Sequence, residues 1–253
     1  MRRIQQVFSQ NKKILSIYFT AGFPKLNDTK NLIENLAKKN VDIIEIGLPF
    51  SDPLADGPVI QASSTQALEN GMTSELLFEQ LKDIRKTVTI PIIIMGYFNP
   101  MLQFGIDSFL KKCQETGIDG LIIPDLPLEF YLSEYKERFE HFGIAMIFLI
   151  TPQTSEERIR LIDENSNSFI YMVSTASVTG SRERFDENQM NYFERISKMN
   201  LKNPQIVGFG ISNKTTFEQA TRHQKGAIIG SSFIQFVSKN GTDTIDNFIE
   251  TII

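Results

Sequence analysis

The stretch EIGLPFSDPLADGP, residues 45–58, places three carboxylates, Glu45, Asp52 and Asp56, among prolines and glycines. Glu45 belongs to the apolar run VDIIEIG, in which isoleucines flank it. An ionised carboxylate in such surroundings is unfavourable unless it is paired or its pKa rises. A backbone N–H or a lysine can satisfy a strand glutamate of this kind, and its role is then purely structural. A glutamate with a raised pKa at the mouth of a site can instead act as a general acid or base.

Asp56 follows eleven residues later in PLADGP, and its local sequence has two interpretations. An Asp-Gly pair is most often a turn. However, Pro49, Pro53 and Pro58 restrict the conformations of this loop, so that it can hold a second carboxylate over the first. Asp52 directly precedes Pro53, and this pair favours the start of a turn.

The elements that must position these acids are short apolar runs that alternate with longer amphipathic segments. Eight strand-like runs occur, at residues 14–20, 41–47, 90–98, 118–125, 144–150, 168–174, 204–210 and 226–231. The helical segments span residues 28–40, 74–86, 106–116, 129–142, 155–165, 191–200, 213–223 and 245–253. The strands are continuously apolar, as expected when helices cover a parallel sheet.

Eight strand–helix units predict an α/β fold, a TIM (β/α)8 barrel that forms a single domain over residues 1–253, with an extra N-terminal helix. The alternative is a doubly wound open sheet, which usually has a glycine-rich turn after its first strand. The first strand here leads into TAGFP, without a G-x-G-x-x-G pattern. In a barrel, catalytic residues are expected at the carboxyl ends of the strands and in the loops that follow.

Small residues follow the last two predicted strands, in GFGIS (208–212) and GSS (230–232). In barrels these two loops often bind phosphate through backbone N–H groups at the start of a short helix. A single GFG can equally be a tight turn, but two such loops after consecutive strands favour a phosphate site. The polar segment SVTGSRERFDEN (177–188), which contains Gly180, is long enough to be a mobile lid.

Composition and charge exclude several other classes of protein. The net charge is −4 and the pI about 5.4, which does not favour a nucleic-acid-binding or anionic-lipid-binding surface. The longest apolar runs are too short to span a bilayer, and a single cysteine, Cys113, is typical of a reducing compartment. We therefore expect a cytoplasmic protein that binds neither nucleic acid nor membrane.

Metal ligands and nucleophile–histidine sets are not evident in the sequence. The two histidines, His141 and His223, fall in or after predicted helices and have no partner at metal-ligand spacing. The residues therefore predict metal-free proton transfer, carried out by two carboxylates on a phosphorylated small molecule.

Several motifs together, in this order and over essentially the whole chain, resemble the α subunit family of tryptophan synthase. They are YFTAGFP (18–24), EIGLPFSDPLADGPVIQ (45–61), GYFNP (96–100), PDLPLEF (124–130), TPQTS (151–155), VTGSR (178–182), GFGIS and GSS. The long motif around Glu45 and Asp56 is the most diagnostic. The resemblance implies a TIM barrel that cleaves indole-3-glycerol phosphate to indole and glyceraldehyde 3-phosphate by a retro-aldol reaction.

The resemblance also implies a role for each matching residue. Glu45 is similar to the acid/base that protonates indole C3 and takes the glycerol hydroxyl proton, and Asp56 to the carboxylate that accepts a hydrogen bond from the indole N–H. The phosphate-binding positions correspond to Gly180, Gly210, Gly230 and Ser231. The indole pocket corresponds to Tyr18, Ile60, Tyr97, Ile122, Tyr171 and Phe209. Thr179 corresponds to the lid threonine that contacts the aspartate.

The family works with a β subunit, in an assembly of two α and two β chains. The resemblance implies that indole passes to the β subunit, that pyridoxal phosphate belongs to that subunit, and that this chain has no cofactor or metal of its own. The implied partner surface contains Pro49, Asp52, Pro53 and Asn99.

Two alternatives remain at the level of sequence. A different barrel enzyme, such as an indole-glycerol-phosphate synthase, is expected to have a lysine among its strand-end residues. The predicted strand ends here carry Glu45, Tyr97, Asp125 and Tyr171 instead. A barrel that only binds a sugar phosphate or a protein would not need both carboxylates.

Overall fold

The computed structural model of the chain describes residues 3–54, 56–174 and 184–253. Its strands are all parallel and form one sheet in the order β5-β4-β3-β2-β1-β9-β8-β7-β6. Their bounds are β1 Ile14–Thr20, β2 Ile43–Gly47, β3 Ile92–Met95, β4 Gly120–Ile122, β5 Ala145–Ile147, β6 Leu149–Ile150, β7 Ile170–Val173, β8 Gln205–Gly208 and β9 Gly226–Ile229. The two strands at the ends of this order, β5 and β6, are separated only by Phe148. They are therefore the halves of one interrupted strand, and the sheet forms a nearly closed barrel, as predicted.

Helices alternate with the strands around the outside of the barrel. Their bounds are α1 Arg3–Phe8, α2 Asp28–Ala37, α3 Pro58–Glu69, α4 Ser74–Leu81, α5 Phe98–Phe104, α6 Ile106–Thr116, α7 Leu128–Phe130, α8 Lys136–Phe142, α9 Glu156–Asn165, α10 Glu187–Lys198, α11 Lys214–His223, α12 Ser231–Asn240 and α13 Ile245–Glu250. A π-helical turn, Tyr131–Tyr135, joins α7 to α8, and a short 3-10 helix, Ile84–Lys86, follows α4. The predicted N-terminal helix is confirmed as α1, which buries Ile4 and Val7.

Three helices, α3, α5 and α12, lie in segments that the sequence analysis treated as loops. Pro58 occupies the first turn of α3, where its fixed φ favours a helix and its missing N–H is not needed. Helix α12 begins at Ser231, inside the GSS motif. Turn-forming residues mark where these helices begin, and for that reason their local sequence resembles a loop.

The buried acids at the two ends of the barrel differ in whether they form salt bridges. At the amino end of the strands, Asp42 pairs with Lys12 at 2.5 Å, and Asp119 pairs with Arg3 at 3.0 Å and Arg85 at 2.5 Å. At the carboxyl end, Glu45 and Asp56 are buried without a salt bridge to any described residue. The acids at the amino end are therefore ion-paired, whereas the two at the carboxyl end, where the active sites of such barrels lie, are not.

None of the described helices has the length and apolar character needed to cross a membrane.

Candidate functional site

Glu45 lies in the middle of β2, where every residue is buried. Its neighbours in the sheet are Tyr18 of β1 and Ile93 of β3. Ser16 donates a hydrogen bond from its Oγ to Glu45 Oε1 at 2.7 Å, whereas Oε2 has no hydrogen-bond partner in the described part of the chain. Burial raises the pKa of Glu45 to about 7, against the opposing effect of the Ser16 hydrogen bond. This carboxyl can therefore exchange a proton near neutral pH.

Asp56 is the second buried carboxyl at this end, held by the loop between β2 and α3. Its side chain accepts a hydrogen bond from the Tyr97 hydroxyl at 3.0 Å. Burial raises the pKa of Asp56 to about 6, and the Tyr97 hydrogen bond opposes that rise. Burial therefore raises the pKa of both carboxyls towards neutrality, and that of Glu45 further, which is the kind of difference that divides acid and base roles between two carboxyls.

Tyr18 and Tyr171 each lie close enough to both carboxyls to interact with their charges. Burial is the main cause of the raised pKa of each phenol, and the charges of Asp56 and Glu45 raise both further. Both phenols therefore stay neutral at physiological pH. Each hydroxyl lies over a glycine at the end of a strand. A β-carbon at Gly47 would overlap the Tyr18 hydroxyl, and a β-carbon at Gly208 would overlap the Tyr171 hydroxyl.

A small cleft beside these groups includes two of the six residues predicted for the indole pocket, Tyr18 and Tyr97. Its lining comprises Tyr18, Leu48, Phe50, Pro53, Asp56, Ser64, Met95, Gly96, Tyr97 and Pro124, with no lysine in this described set. Elsewhere in the barrel, Phe209 packs edge-on against Tyr171, with ring centroids 6.2 Å apart. Ile60 and Ile122 are buried. The lining is mainly apolar and contains one carboxyl, Asp56, a composition that matches a flat aromatic ring with one N–H donor.

The loops after β8 and β9 have the backbone features of an anion site. Phe209 and Gly210 have positive φ angles of 68° and 75°, and at Phe209 this conformation is strained, which is common at functional sites. Gly230 is the N-cap of α12 and Ser231 its first residue, so the unsatisfied N–H groups of that first turn are available to a phosphate. A β-carbon at Gly230 would lie 3.2 Å from the Tyr18 ring, so the two predicted subsites adjoin.

Two predicted residues, Thr179 and Gly180, lie outside the described residues. Of the predicted partner surface, Asp52 and Asn99 are exposed, Pro53 is partly exposed and Pro49 is buried in the isolated chain. Among the described residues, no group of three or more histidine, cysteine, aspartate or glutamate side chains could hold a metal ion.

Sequence reasoning missed Ser16, Gly47 and Gly208, which contact the predicted site residues. A signal for Ser16 exists in the strand ILSIYFT, where Ser16, Tyr18 and Thr20 alternate with apolar residues. Alternation with a period of two places these three on one face of the strand. The barrel turns that face inwards, towards Glu45.

Comparison with known proteins agrees with this geometry. The family model described as tryptophan synthase alpha chain matches residues 4–252. The chain is 68% identical to a tryptophan synthase alpha chain of Flavobacterium psychrophilum, over 100% of both chains, and 66% identical to one of Flavobacterium johnsoniae, again over 100% of both.

Solved structures give the same result. The crystal structure of tryptophan synthase subunit alpha from Legionella pneumophila has a TM-score of 0.89 at 31% identity, covering 100% of this chain and 97% of that one. The tryptophan synthase complex from Pyrococcus furiosus has a TM-score of 0.83 at 31% identity, covering 95% of this chain and 96% of that one. The chain therefore belongs to the family of tryptophan synthase alpha chains, the lyase subunits that cleave indole-3-glycerol phosphate to indole and glyceraldehyde 3-phosphate.

Proposed function

We propose that Glu45 and Asp56 carry the cleavage of indole-3-glycerol phosphate in this chain, as acid/base and as indole N–H acceptor. The observation that supports this most is the pair of buried carboxyls at one end of the barrel, which have hydroxyl donors and no described cation beside them. A cation would hold both carboxyls ionised, whereas burial raises both pKa values towards neutrality.

The reaction begins with Glu45 protonated and Asp56 ionised. Glu45 gives its proton to indole C3, and the ring becomes an indolenine with positive charge at its nitrogen. Asp56 accepts the N–H of that nitrogen and stabilises the developing charge. The Glu45 carboxylate then takes the proton of the glycerol hydroxyl next to C3. The carbon–carbon bond breaks, its electron pair returns to the indole ring, and the hydroxyl carbon becomes the aldehyde of glyceraldehyde 3-phosphate. Glu45 ends the cycle protonated, as it began.

The substrate phosphate is assigned to the loops after β8 and β9. Gly210, Gly230 and Ser231 supply backbone N–H groups and space, and the first turn of α12 directs its positive dipole end towards the anion. Thr179 and Gly180 complete the lid and phosphate positions in this proposal. Binding of the phosphate away from the reacting carbon fixes the orientation of the indole ring relative to both carboxyls.

The partner in this proposal is a tryptophan synthase β subunit, in an assembly of two α and two β chains. Exposed apolar side chains after three successive strands support a docking surface at the mouth: Leu54 after β2, Leu102 after β3 and Phe130 after β4, with exposed fractions of 90%, 49% and 43%. Pro49, Asp52, Pro53 and Asn99 belong to the same rim. Indole passes to that partner, which carries the pyridoxal phosphate. The chain acts as a single barrel domain in the cytoplasm.

The experiment is an indole-release assay on purified protein with indole-3-glycerol phosphate, with and without a β subunit. Glu45→Gln keeps the size of the side chain but cannot donate a proton, so turnover should fall by about 10²- to 10⁴-fold. Asp56→Asn should also lower turnover strongly, and Glu69→Gln, at an exposed position, should not. If Glu45→Gln keeps more than a tenth of the wild-type turnover, the chain does not use Glu45 as its acid/base.

The pH dependence provides a second test of the same roles. The wild-type kcat/KM should rise through about pH 6 as Asp56 ionises and fall through about pH 7 as Glu45 loses its proton. A profile that stays flat between pH 5 and pH 9 would contradict both assignments.

A further inference from the structure

Ser16 lies inside the barrel, directly below the proposed acid/base. Its neighbour on the same face of β1, Tyr18, pairs in register with Glu45, and Ser16 pairs with Ile43. The Glu45 side chain therefore reaches back by one inward-facing position to accept the Ser16 hydroxyl at 2.7 Å. Both residues have no solvent exposure in this chain. Because Ser16 lies one inward-facing position deeper than Glu45, it acts on a substrate at the carboxyl end of the barrel through Glu45.

The other groups around Glu45 offer the carboxylate little stabilisation. The titratable groups that interact with its charge are Tyr18 from β1 and Tyr171 from β7. Asp56, from the loop after β2, interacts with the same two phenols, and none of the three is a cation. On the opposite side, β3 contributes the apolar Ile93. Glu45 Oε2 has no hydrogen-bond partner in the described part of the chain. The Ser16 hydroxyl is thus the donor that favours the ionised form of Glu45.

We propose that Ser16 is a positioning residue for the reaction: its hydroxyl holds the Glu45 carboxyl in place and stabilises the carboxylate left when Glu45 protonates indole C3. This inference rests on the proposed role of Glu45. The buried carboxylate must persist until it takes the glycerol hydroxyl proton. A charge-assisted hydrogen bond from a side chain that cannot reach water gives that stabilisation without adding a positive charge. A lysine in its place would hold Glu45 ionised and prevent the first proton transfer.

The test compares pH profiles of kcat/KM for indole-3-glycerol phosphate between wild type and Ser16→Ala. Without the hydroxyl the carboxylate is less stable, so the falling limb of the profile should move up by about one pH unit or more, as expected for a lost hydrogen bond to a charge. The rising limb, assigned to Asp56, should stay in place. KM at the optimum should change less than about twofold, because Ser16 does not touch the substrate.

Two further variants make the result decisive. Ser16→Cys keeps the size of the side chain but is a weak donor, so it should move the falling limb in the same direction by a smaller amount. Ser168→Ala removes another buried hydroxyl, one with no hydrogen-bond partner among the described residues, and should leave both limbs unchanged. If Ser16→Ala does not fold, as judged by near-UV circular dichroism, the Ser16→Cys profile decides.

A falling limb at the wild-type pH in folded Ser16→Ala, or in Ser16→Cys where only that variant folds, would overturn the role of Ser16. Equal displacement of both limbs, or of the limb in Ser168→Ala, would also overturn it, because the effect would then be structural. The proposed function is judged separately by Glu45→Gln. Activity retained in Glu45→Gln refutes the function itself, whereas loss of activity there with an unmoved Ser16→Ala limb refutes only the positioning role.

Discussion

Replacing Glu45 by glutamine should make the protein more stable at alkaline pH while it abolishes cleavage. The reason is that Glu45 is fully buried and has a pKa of about 7 in the folded chain, against an ordinary value of 4.5, chiefly because of burial. A neutral amide of the same shape can accept the same Ser16 hydroxyl. It does not have to be ionised inside the barrel.

The size and direction of the effect follow from proton linkage. Below pH 4.5 the Glu45 carboxyl is neutral in both the folded and the unfolded chain, so its burial is not opposed by charge. As pH rises from 4.5 to about 7, the unfolded chain loses this proton first, and the wild type becomes progressively less stable. A difference of about 2.5 pKa units corresponds to about 3 kcal/mol of unfolding free energy, lost in full above pH 7. The Glu45→Gln variant should not lose this unfolding free energy as pH rises.

The assay is urea unfolding of wild type and Glu45→Gln at pH 5 and pH 8.5, followed by circular dichroism and fitted with a common slope. The variant should be more stable by less than about 1 kcal/mol at pH 5 and by about 3 kcal/mol at pH 8.5. Glu69→Gln, on the exposed side of α3, is the control and should show no pH-dependent difference. If the stability difference between Glu45→Gln and wild type is the same at both pH values, burial does not raise the pKa of Glu45 in the folded chain.

The remaining predictions concern Asp56, the phosphate site and the partner. Tyr97→Phe removes the hydroxyl that donates a hydrogen bond to Asp56 at 3.0 Å. Loss of this hydrogen bond raises the pKa of Asp56 further. In a pH profile of kcat/KM, the rising limb should therefore move up by about one pH unit. Gly230→Asp places a negative charge at the start of α12, against the Tyr18 ring, and should raise KM for the phosphorylated substrate at least about tenfold while circular dichroism stays unchanged; an unchanged KM would move the phosphate elsewhere. Asp52→Ala, at an exposed rim position, should lower activation by a β subunit more than basal indole release, and equal loss of both rates would remove this loop from the partner surface.

The sequence alone was sufficient for the fold class and for selecting Glu45 and Asp56 as the two candidate acids. Continuous apolar runs that alternate with amphipathic segments are a local property, and eight such units predict a barrel before any contact is known. A charged residue among isoleucines, as at Glu45, is conspicuous because its burial must be compensated or used. The loop prolines indicated that Asp56 is held, although they could not show which group it faces.

Several boundaries could not be obtained in this way. Helices α3 and α12 begin at Pro58 and Ser231, in segments rich in turn residues. Those residues are common both in loops and in the first turn of a helix, so the local sequence does not separate the two cases. The interruption of the fifth strand at Phe148 also has no local signal, because the run IAMIFLI is uniformly apolar.

The tertiary structure decided which hydroxyl meets which acid, and so how the two carboxyls differ. Ser16 and Glu45 are separated by 29 positions in the chain, and Asp56 and Tyr97 by 41. Neither contact follows from spacing within one strand or helix, because each joins two separate segments that come together only when the barrel forms. The sequence determined that acids would lie at the mouth of a barrel. Only the closed barrel determined that Glu45 and Asp56 would have hydroxyl donors while Asp42 and Asp119, at the opposite end, have lysine or arginine partners, since burial and pairing are properties of packed neighbours rather than of the chain.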